Sequence, residues 1–489
     1  MEITPNPLTI SQLFSGNNEQ FYIPAYQRRF SWQEKQLIDL FEDIDLLKQS
    51  DTHLLGTILC LTGSHTAGLN ILELVDGQQR ITSISILLKV IQDRFEELEE
   101  NEIKDEINSY MYCKSIDRKL QNKVLLGDLD NPDYVKLLIK KNMHSIKNNN
   151  LKEAYELFYR LLEDYDKNKL NSFYFKFINK VKIIRLDVGQ AKDAYKLFET
   201  INNRGLSLSP TDIIKNFLLG HASSIDNRTL DIIRKDWKDV IVNLDGIDTD
   251  DFFRQYMSSI LQRKITKSKL VDEFKKHYII YIYEAKNLPE YKKYKEIRIQ
   301  KLKNIEKIKN ELDGNEYEDD EIETDEIQVE ENNTSMDFME IDKFTSNLRN
   351  SSNIYNKILL RKFSDEKINR KIYNLQRIRS FPAYIFLLDL FKRELSKSKY
   401  YLILHMIEVF MLRRHICEYR TGELDDIFSS LVKIPNKNIV EDVHDKLKKH
   451  LPTDVEFETK FKTHSYKSNG PRAKYVLEVF EYETIRDQG

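Results

Sequence analysis

The residues Ile71–Leu88, ILELVDGQQRITSISILL, constrain the fold of this chain more than any other stretch. Ile71, Leu72, Leu74 and Val75 suit a strand buried on both faces. Asp76-Gly77 interrupts the run, because Gly supplies backbone angles that residues with a side chain avoid. From Ile81 onward, apolar residues recur at Ile84, Leu88, Ile91, Phe95 and Leu98, the three-and-four spacing of one helix face. Gln78, Gln79 and Arg80 therefore open a helix fed by a buried strand. Free N–H groups and the positive end of the helix dipole at such a start suit an anion such as phosphate, and Arg80 adds a forked cationic donor. Spacing alone favours a plainer reading, with Asp76 capping the helix, Gly77 making the turn and Arg80 solvated.

Upstream lies FYIPAYQRRFSW, Phe21–Trp32. Pro24 favours a sheet edge or a strand end, so Tyr26, Gln27, Arg28 and Arg29 are expected on an exposed turn. Ser31 is expected to cap a helix running to about Lys48, with Glu34 in the capping-box position. His53–Leu61 and Val181–Val188 read as further strands, and Thr62–Asn70 as the turn into the central one. Downstream, Ala194, Leu197, Phe198 and Ile201 mark a helix face that stops at Asn202-Asn203-Arg204-Gly205, and Pro210 starts the next helix with Asp212 in its first turn.

Three segments in this order, IPxYQRxFxW (Ile23–Trp32), DGQQR (Asp76–Arg80) and FxxINxRGxxLxxxDxxKN (Phe198–Asn216), make the chain similar to the GmrSD-type restriction family. The N-terminal domain of that family is distantly like the ParB/sulfiredoxin fold. The resemblance implies an α+β, ParB-like domain over residues 1–220 with a helical insertion at about 105–180, followed by a mainly α-helical domain over 221–489. It implies an NTP pocket in which Asp76, Gln78, Gln79 and Arg80 act in catalysis. Tyr26, Gln27, Arg28, Trp32, Gly77, Thr82, Asn202, Arg204, Gly205, Asp212 and Lys215 would bind or brace the nucleotide.

In that reading Asp76 orients a metal or water, and Gly77 lets the backbone approach phosphate. Gln78 and Gln79 position phosphate oxygens or the attacking water, while Arg80 and Arg28 neutralise developing charge. Magnesium with GTP or ATP is the expected cofactor. The implied activity is NTP binding and hydrolysis in a prokaryotic anti-phage, modification-dependent DNA restriction system. Two other readings stand beside it: a non-hydrolysing DNA-binding or regulatory partner of a separate nuclease, and a ParB-like nuclease. No P-loop GxxxxGK[ST] is present.

Full-length relatives often continue into an HNH-type nuclease. Here His405, His415, His444, His450 and His464 are scattered, without the His-Ile-x-Pro context such a site needs. Either a separate subunit supplies the nuclease, or the chain is a truncated or nuclease-free member. Expected partners are therefore DNA, modified or not, a separate nuclease subunit, and a second copy in a homodimer.

A chain of 489 residues exceeds one typical core. Its net charge of −3 draws no nucleic acid globally, so any such binding needs a local patch. The lysine-rich Lys140–Lys152 could touch phosphates, but its lysines lack facial spacing and a solvated loop is the simpler reading. Cys60, Cys113 and Cys417 are odd in number and far apart, which points to a reducing compartment. With no signal peptide and no span-length apolar run, a cytoplasmic protein with no membrane association is expected. The charge run Glu96–Glu106 reads as a solvated helix end, and Tyr110–Asn179 as helical. Glu311–Glu331 carries twelve acids and no Lys or Arg, the composition of an acidic loop over about 311–335.

Overall fold

The computed structural model describes residues 5–48, 50–202, 209–312, 338–465 and 470–488. The chain divides into two compact units: Met1–Leu208 with Lys215–Val242, and Ser209–Ile214 with Asn243–Gly489.

The first unit is built on a mixed six-stranded sheet. Its elements in chain order are β1 (Pro5–Thr9), α1 (Ile10–Phe14), β2 (Glu19–Tyr22), α2 (Glu34–Asp45), β3 (His53–Thr66), β4 (Leu69–Asp76), α3 (Gln78–Glu97) and α4 (Asn101–Met111). Then come β5 (Tyr112–Lys114), β6 (Leu120–Asn122), β7 (Val124–Leu125), α5 (Asn131–Leu138), α6 (Asn149–Leu162), α7 (Lys167–Lys180), β8 (Val181–Val188), α8 (Ala191–Asn202), α9 (Pro210–Ile225) and α10 (Asn227–Asn243). The strand order is β1-β8-β3-β4-β2-β7, and β5 and β6 form a separate hairpin. β2 runs parallel to both β4 and β7, so three neighbouring strands end on the same side of the sheet.

Leu72 and Leu74 of β4 face one core, which α1 to α7 complete. Side chains alternate along a strand, so Glu73 faces the opposite layer, where it meets Tyr195 of α8 and Arg234 of α10 through shared hydrogen bonds. At the centre sits α3, buried along nearly its whole length rather than on one stripe, because the sheet, α4 and α6 surround it.

Several expectations need correction. Not singled out in the sequence, β1 lies at the sheet edge, pairing with β8, where the N–H donors that Pro5 and Pro7 lack cost little. α2 is capped by Gln33 with Gln36 rather than by Ser31 with Glu34, and it ends at Asp45. Thr62–Asn70 is mostly strand, forming a hairpin that turns at Ala67-Gly68, both with positive φ. The charged run after α3 is a break, with Glu99 at φ 59°, before α4 begins. Tyr110–Asn179 is not all helical, since it contains β5, β6 and β7.

The second unit is helical. Its helices are α11 (Thr249–Ile260), α12 (Leu270–Tyr281), α13 (Tyr291–Leu312), α14 (Ile341–Leu360), α15 (Glu366–Arg377), α16 (Tyr384–Leu390), α17 (Lys397–Ile416), α18 (Leu424–Leu431), α19 (Ile439–Lys448), α20 (Asp454–Thr463) and α21 (Gly470–Gln488). α17 packs against α15 and α19, burying Ile403, Leu404, Ile407, Phe410 and Met411. An α+β unit followed by helices is the architecture. The acidic loop expected at about 311–335 falls outside the described residues from Asp313 onward. Among the described residues, no helix is long and apolar enough to cross a membrane. All three cysteines are buried as free thiols.

Candidate functional site

The parallel run of β7, β2 and β4 brings three turns together at their carboxyl ends. Tyr22 of β2 lies beside Glu73 of β4 and Leu125 of β7, so the segments that follow each strand are neighbours. Open sheets bind ligands at such ends. Here the turns line a pocket of Ile23, Pro24 and Gln27–Phe30 after β2, Gln78, Gln79 and Thr82 after β4, and Leu126, Gly127, Leu129 and Asp130 after β7.

Gly77 makes the turn at the end of β4. Its φ is 92°, and an added Cβ would sit 2.5 Å from Ile58 Cγ2, so only glycine fits without strain. It is itself the N-cap of α3, and no side chain caps this helix. Asp76 instead pairs with Arg80 at 3.3 Å. The Arg80 guanidinium lies against Gly56 of β3, where an added Cβ would come within 2.7 Å of it. The turn thus points two ways: Gln78, Gln79 and Thr82 face the pocket, and Asp76 and Arg80 lie on the β3 side, outside its lining.

Gln79 is bound to the backbone after β2. Its Oε1 accepts from Ser31 N at 2.8 Å and Trp32 N at 3.3 Å, and its Nε2 donates to Arg29 O at 3.1 Å. The opposite wall holds the same segment. Asp130 accepts from Arg29 Nε and from Phe30 N, each at 2.6 Å, and Asn148 Nδ2 donates to Asp130 at 2.9 Å and to Phe30 O at 3.1 Å. Gly127 lets the walls meet, because a Cβ there would be 3.0 Å from Ala25 Cα. Between these braces Arg28 is exposed at the pocket. Gln78 and Thr82 are buried there, and neither makes a side-chain hydrogen bond to another described residue.

The remaining candidates divide. Gln27 is buried, donating to Leu74 O and Val75 O at 3.1 and 3.0 Å, and its Oε1 accepts from Lys215 Nζ. Tyr26 turns away from the pocket, donating to Glu73 Oε1 at 2.6 Å, and burial followed by its neighbours Tyr195 and Glu73 raises its phenol well above the usual range. Trp32 packs on the core. Asp212 and Ser209 bond each other at the start of α9, within the second unit. Asn202 ends α8 with its side chain outside the described residues, as are Arg204 and Gly205 altogether.

Asp130, Asn148 and Glu73 escaped the sequence reading. A carboxylate inside the apolar run Ile71–Val75 was the available signal for Glu73, and Gly127-Asp128 after the apolar Val124–Leu126 was the signal for the third wall. Among the described residues, no group of three or more His, Cys, Asp or Glu side chains could hold a metal.

Residues 10–219 match the family model described as GmrSD restriction endonuclease, N-terminal domain. A search of curated proteins found no match. The matched range takes in the three walls of the pocket, Gln27 and Lys215, and over those residues the chain carries a GmrSD-type N-terminal domain.

Proposed function

We propose that the first unit binds a nucleoside triphosphate, GTP or ATP, at the pocket between β2, β4 and β7 and hydrolyses it, as a component of a DNA restriction system. The observation that carries this reading is the convergence of two separate sequence signatures on one pocket, where Gln78 and Thr82 present polar atoms that no other described side chain or backbone group binds. Polar atoms that stay open to a cavity and unbonded to the described residues are available to a polar ligand.

In this reading phosphate oxygens lie over the first turn of α3, whose N–H groups have no helical acceptor. Gln78 and Thr82 donate to them, and exposed Arg28 offsets their charge. Gln79 acts as a positioning residue, fixing the segment that carries Arg28. Asp76 and Arg80 flank the turn from the β3 side, where Arg80 would draw charge toward the helix start. The described residues form no protein-held cation site, so magnesium would enter with the nucleotide, taking its ligands from phosphate and water. Asp130 is the carboxylate in the pocket lining, and Asp76 lies outside it beside Arg80.

One observation favours the non-hydrolysing alternative. Gln79 is fully engaged with backbone, which leaves Gln78 as the amide at hand to orient a water. The deciding experiment is phosphate release by the full chain from each of the four NTPs with magnesium. Turnover in the wild type that Gln78→Ala and Arg80→Ala each lower by ten-fold or more, with the fold intact by circular dichroism, supports hydrolysis at this turn. Saturable nucleotide binding without turnover supports the regulatory reading, and undiminished turnover in both variants contradicts the site.

A further inference from the structure

In the lysine-rich Lys140–Lys152, expected to be solvated rather than bound to phosphates, Lys140 pairs with Asp93 at 3.7 Å and Lys152 with Glu156 at 3.6 Å. A stronger candidate lies in the second unit. Between Lys286 and Lys303 the chain carries seven cationic residues against Glu290 and Glu296, within a protein whose net charge is −3. Most of this stretch is α13. Lys286, Lys292, Lys293, Lys295, Lys301 and Lys303 are all exposed, and none forms an ion pair with a described residue. Some exposed lysines elsewhere, such as Lys119, Lys267 and Lys397, do have carboxylate partners.

The seventh cation explains how this charge is presented. Arg298 is buried and donates to the carbonyls of Ile279 at 2.8 Å, Ile282 at 2.6 Å and Tyr283 at 3.4 Å, the open end of α12. The rings of Tyr291 and Phe338 flank its guanidinium. One face of α13 is thereby fixed to α12, and its solvent face is left cationic. Ile297 and Ile299 are also exposed on the helix, so it offers apolar contact between the charges.

We infer that α13 is a nucleic-acid docking helix whose lysines contact the phosphates of duplex DNA. From Lys292 to Lys303 the helix extends about 16 Å, a span over which a duplex presents a dense row of phosphates. Among the described residues these like charges stay unneutralised on one fixed element, and a polyanion turns such repulsion into binding through counterion release. Unpatterned lysines give affinity rather than sequence readout, so base specificity is assigned elsewhere. The choice of DNA as the polyanion rests on the restriction-system reading; the surface itself does not.

The test is binding of a labelled DNA duplex to the full chain across a salt series, comparing wild type with Lys292→Ala/Lys295→Ala/Lys303→Ala. The triple variant is expected to bind roughly ten-fold or more weakly at low salt, and the slope of log affinity against log salt should become shallower by roughly 2 to 3. A control variant, Lys140→Ala/Lys141→Ala/Lys147→Ala, should bind like wild type. Unchanged affinity and slope in the α13 variant, or no duplex binding by wild type, overturns the inference. Polyglutamate competing as well as DNA would overturn the assignment to nucleic acid. Nucleotide binding and turnover measured without DNA in the same preparations report on the pocket separately, so failure of either reading is visible on its own.

Discussion

In the first unit, buried polar side chains gather at the carboxyl ends of β4, β2 and β7, and some of them keep hydrogen-bonding capacity free. In the second unit, a buried polar cluster of similar size is closed. Glu408 of α17 accepts from Lys371 at 2.5 Å, Asn374 at 2.6 Å and Tyr475 at 2.7 Å, tying α15, α17 and α21 together. Burial alone would raise the Glu408 carboxyl, but His405 and the Lys371 ammonium outweigh it and hold the group below the ordinary glutamate range. A saturated network holds helices in place. Gln78 and Thr82 in the first unit are covered as residues, but their polar atoms stay open to the pocket and unbonded to the described residues, so a ligand there can use them. Burial of polar residues is thus no guide to function until their partners are counted.

The largest expected effect should come from breaking the closed cluster. Glu408→Ala leaves Lys371 buried without its counter-charge, and should destabilise the second unit by about 3–5 kcal/mol in denaturant unfolding. Nucleotide binding by the first unit, measured below the transition, should not change. If stability is unaffected, the cluster is not the structural tie described here.

Gly77→Ala comes next. The positive φ alone should cost about 1–3 kcal/mol, and the contact with Ile58 adds to it. A variant as stable as wild type would show that the turn relaxes more easily than its geometry implies.

The adjacent glutamines sharpen the comparison. Gln79→Ala strands the Ser31 and Arg29 backbone groups and should cost about 1–3 kcal/mol in a thermal or denaturant melt. Gln78→Ala breaks no protein hydrogen bond, so its stability should stay within about 0.5 kcal/mol of wild type, while its nucleotide affinity falls. Equal destabilisation by both would erase the distinction between brace and ligand contact.

A pH dependence of the second unit completes the comparison. Burial lowers His277 to about 4, and burial together with the Arg472 charge lowers His415 to about 4. Between the ordinary histidine value of 6.5 and about 4, the unfolded chain takes up protons that the folded unit refuses. Stability should therefore fall as pH drops through that window and level off below it as far as these two groups are concerned. Only at lower pH, as Glu408 is protonated, should its contribution be lost as well. His277→Phe should flatten the slope, which a melting series across pH 4 to 7 would read.

Much of the first unit was legible because its signals are local. The apolar run of β4, the Asp76-Gly77 break and the periodicity of α3 each announce one element, and the order of three signatures announced the kind of domain. What the sequence concealed depends on pairing. β7 is only Val124–Leu125, too short for any periodicity, yet it carries the third wall of the pocket. β1 carries Pro5 and Pro7, and its place at the sheet edge makes them tolerable. The divergence of the DGQQR turn was equally hidden, since Gly56 on another strand decides where Arg80 can lie. A helix face can be read from spacing; which residues meet across β2, β4 and β7 cannot.

The most direct test of the pocket is an equilibrium titration of the full chain with a non-hydrolysable nucleoside triphosphate and magnesium, alongside Gln78→Ala/Thr82→Ala. We expect saturable wild-type binding that the double variant weakens by ten-fold or more, at unchanged melting temperature. Equal affinity in both proteins would contradict the account, because the two buried groups that lack protein partners would then have no ligand to satisfy them.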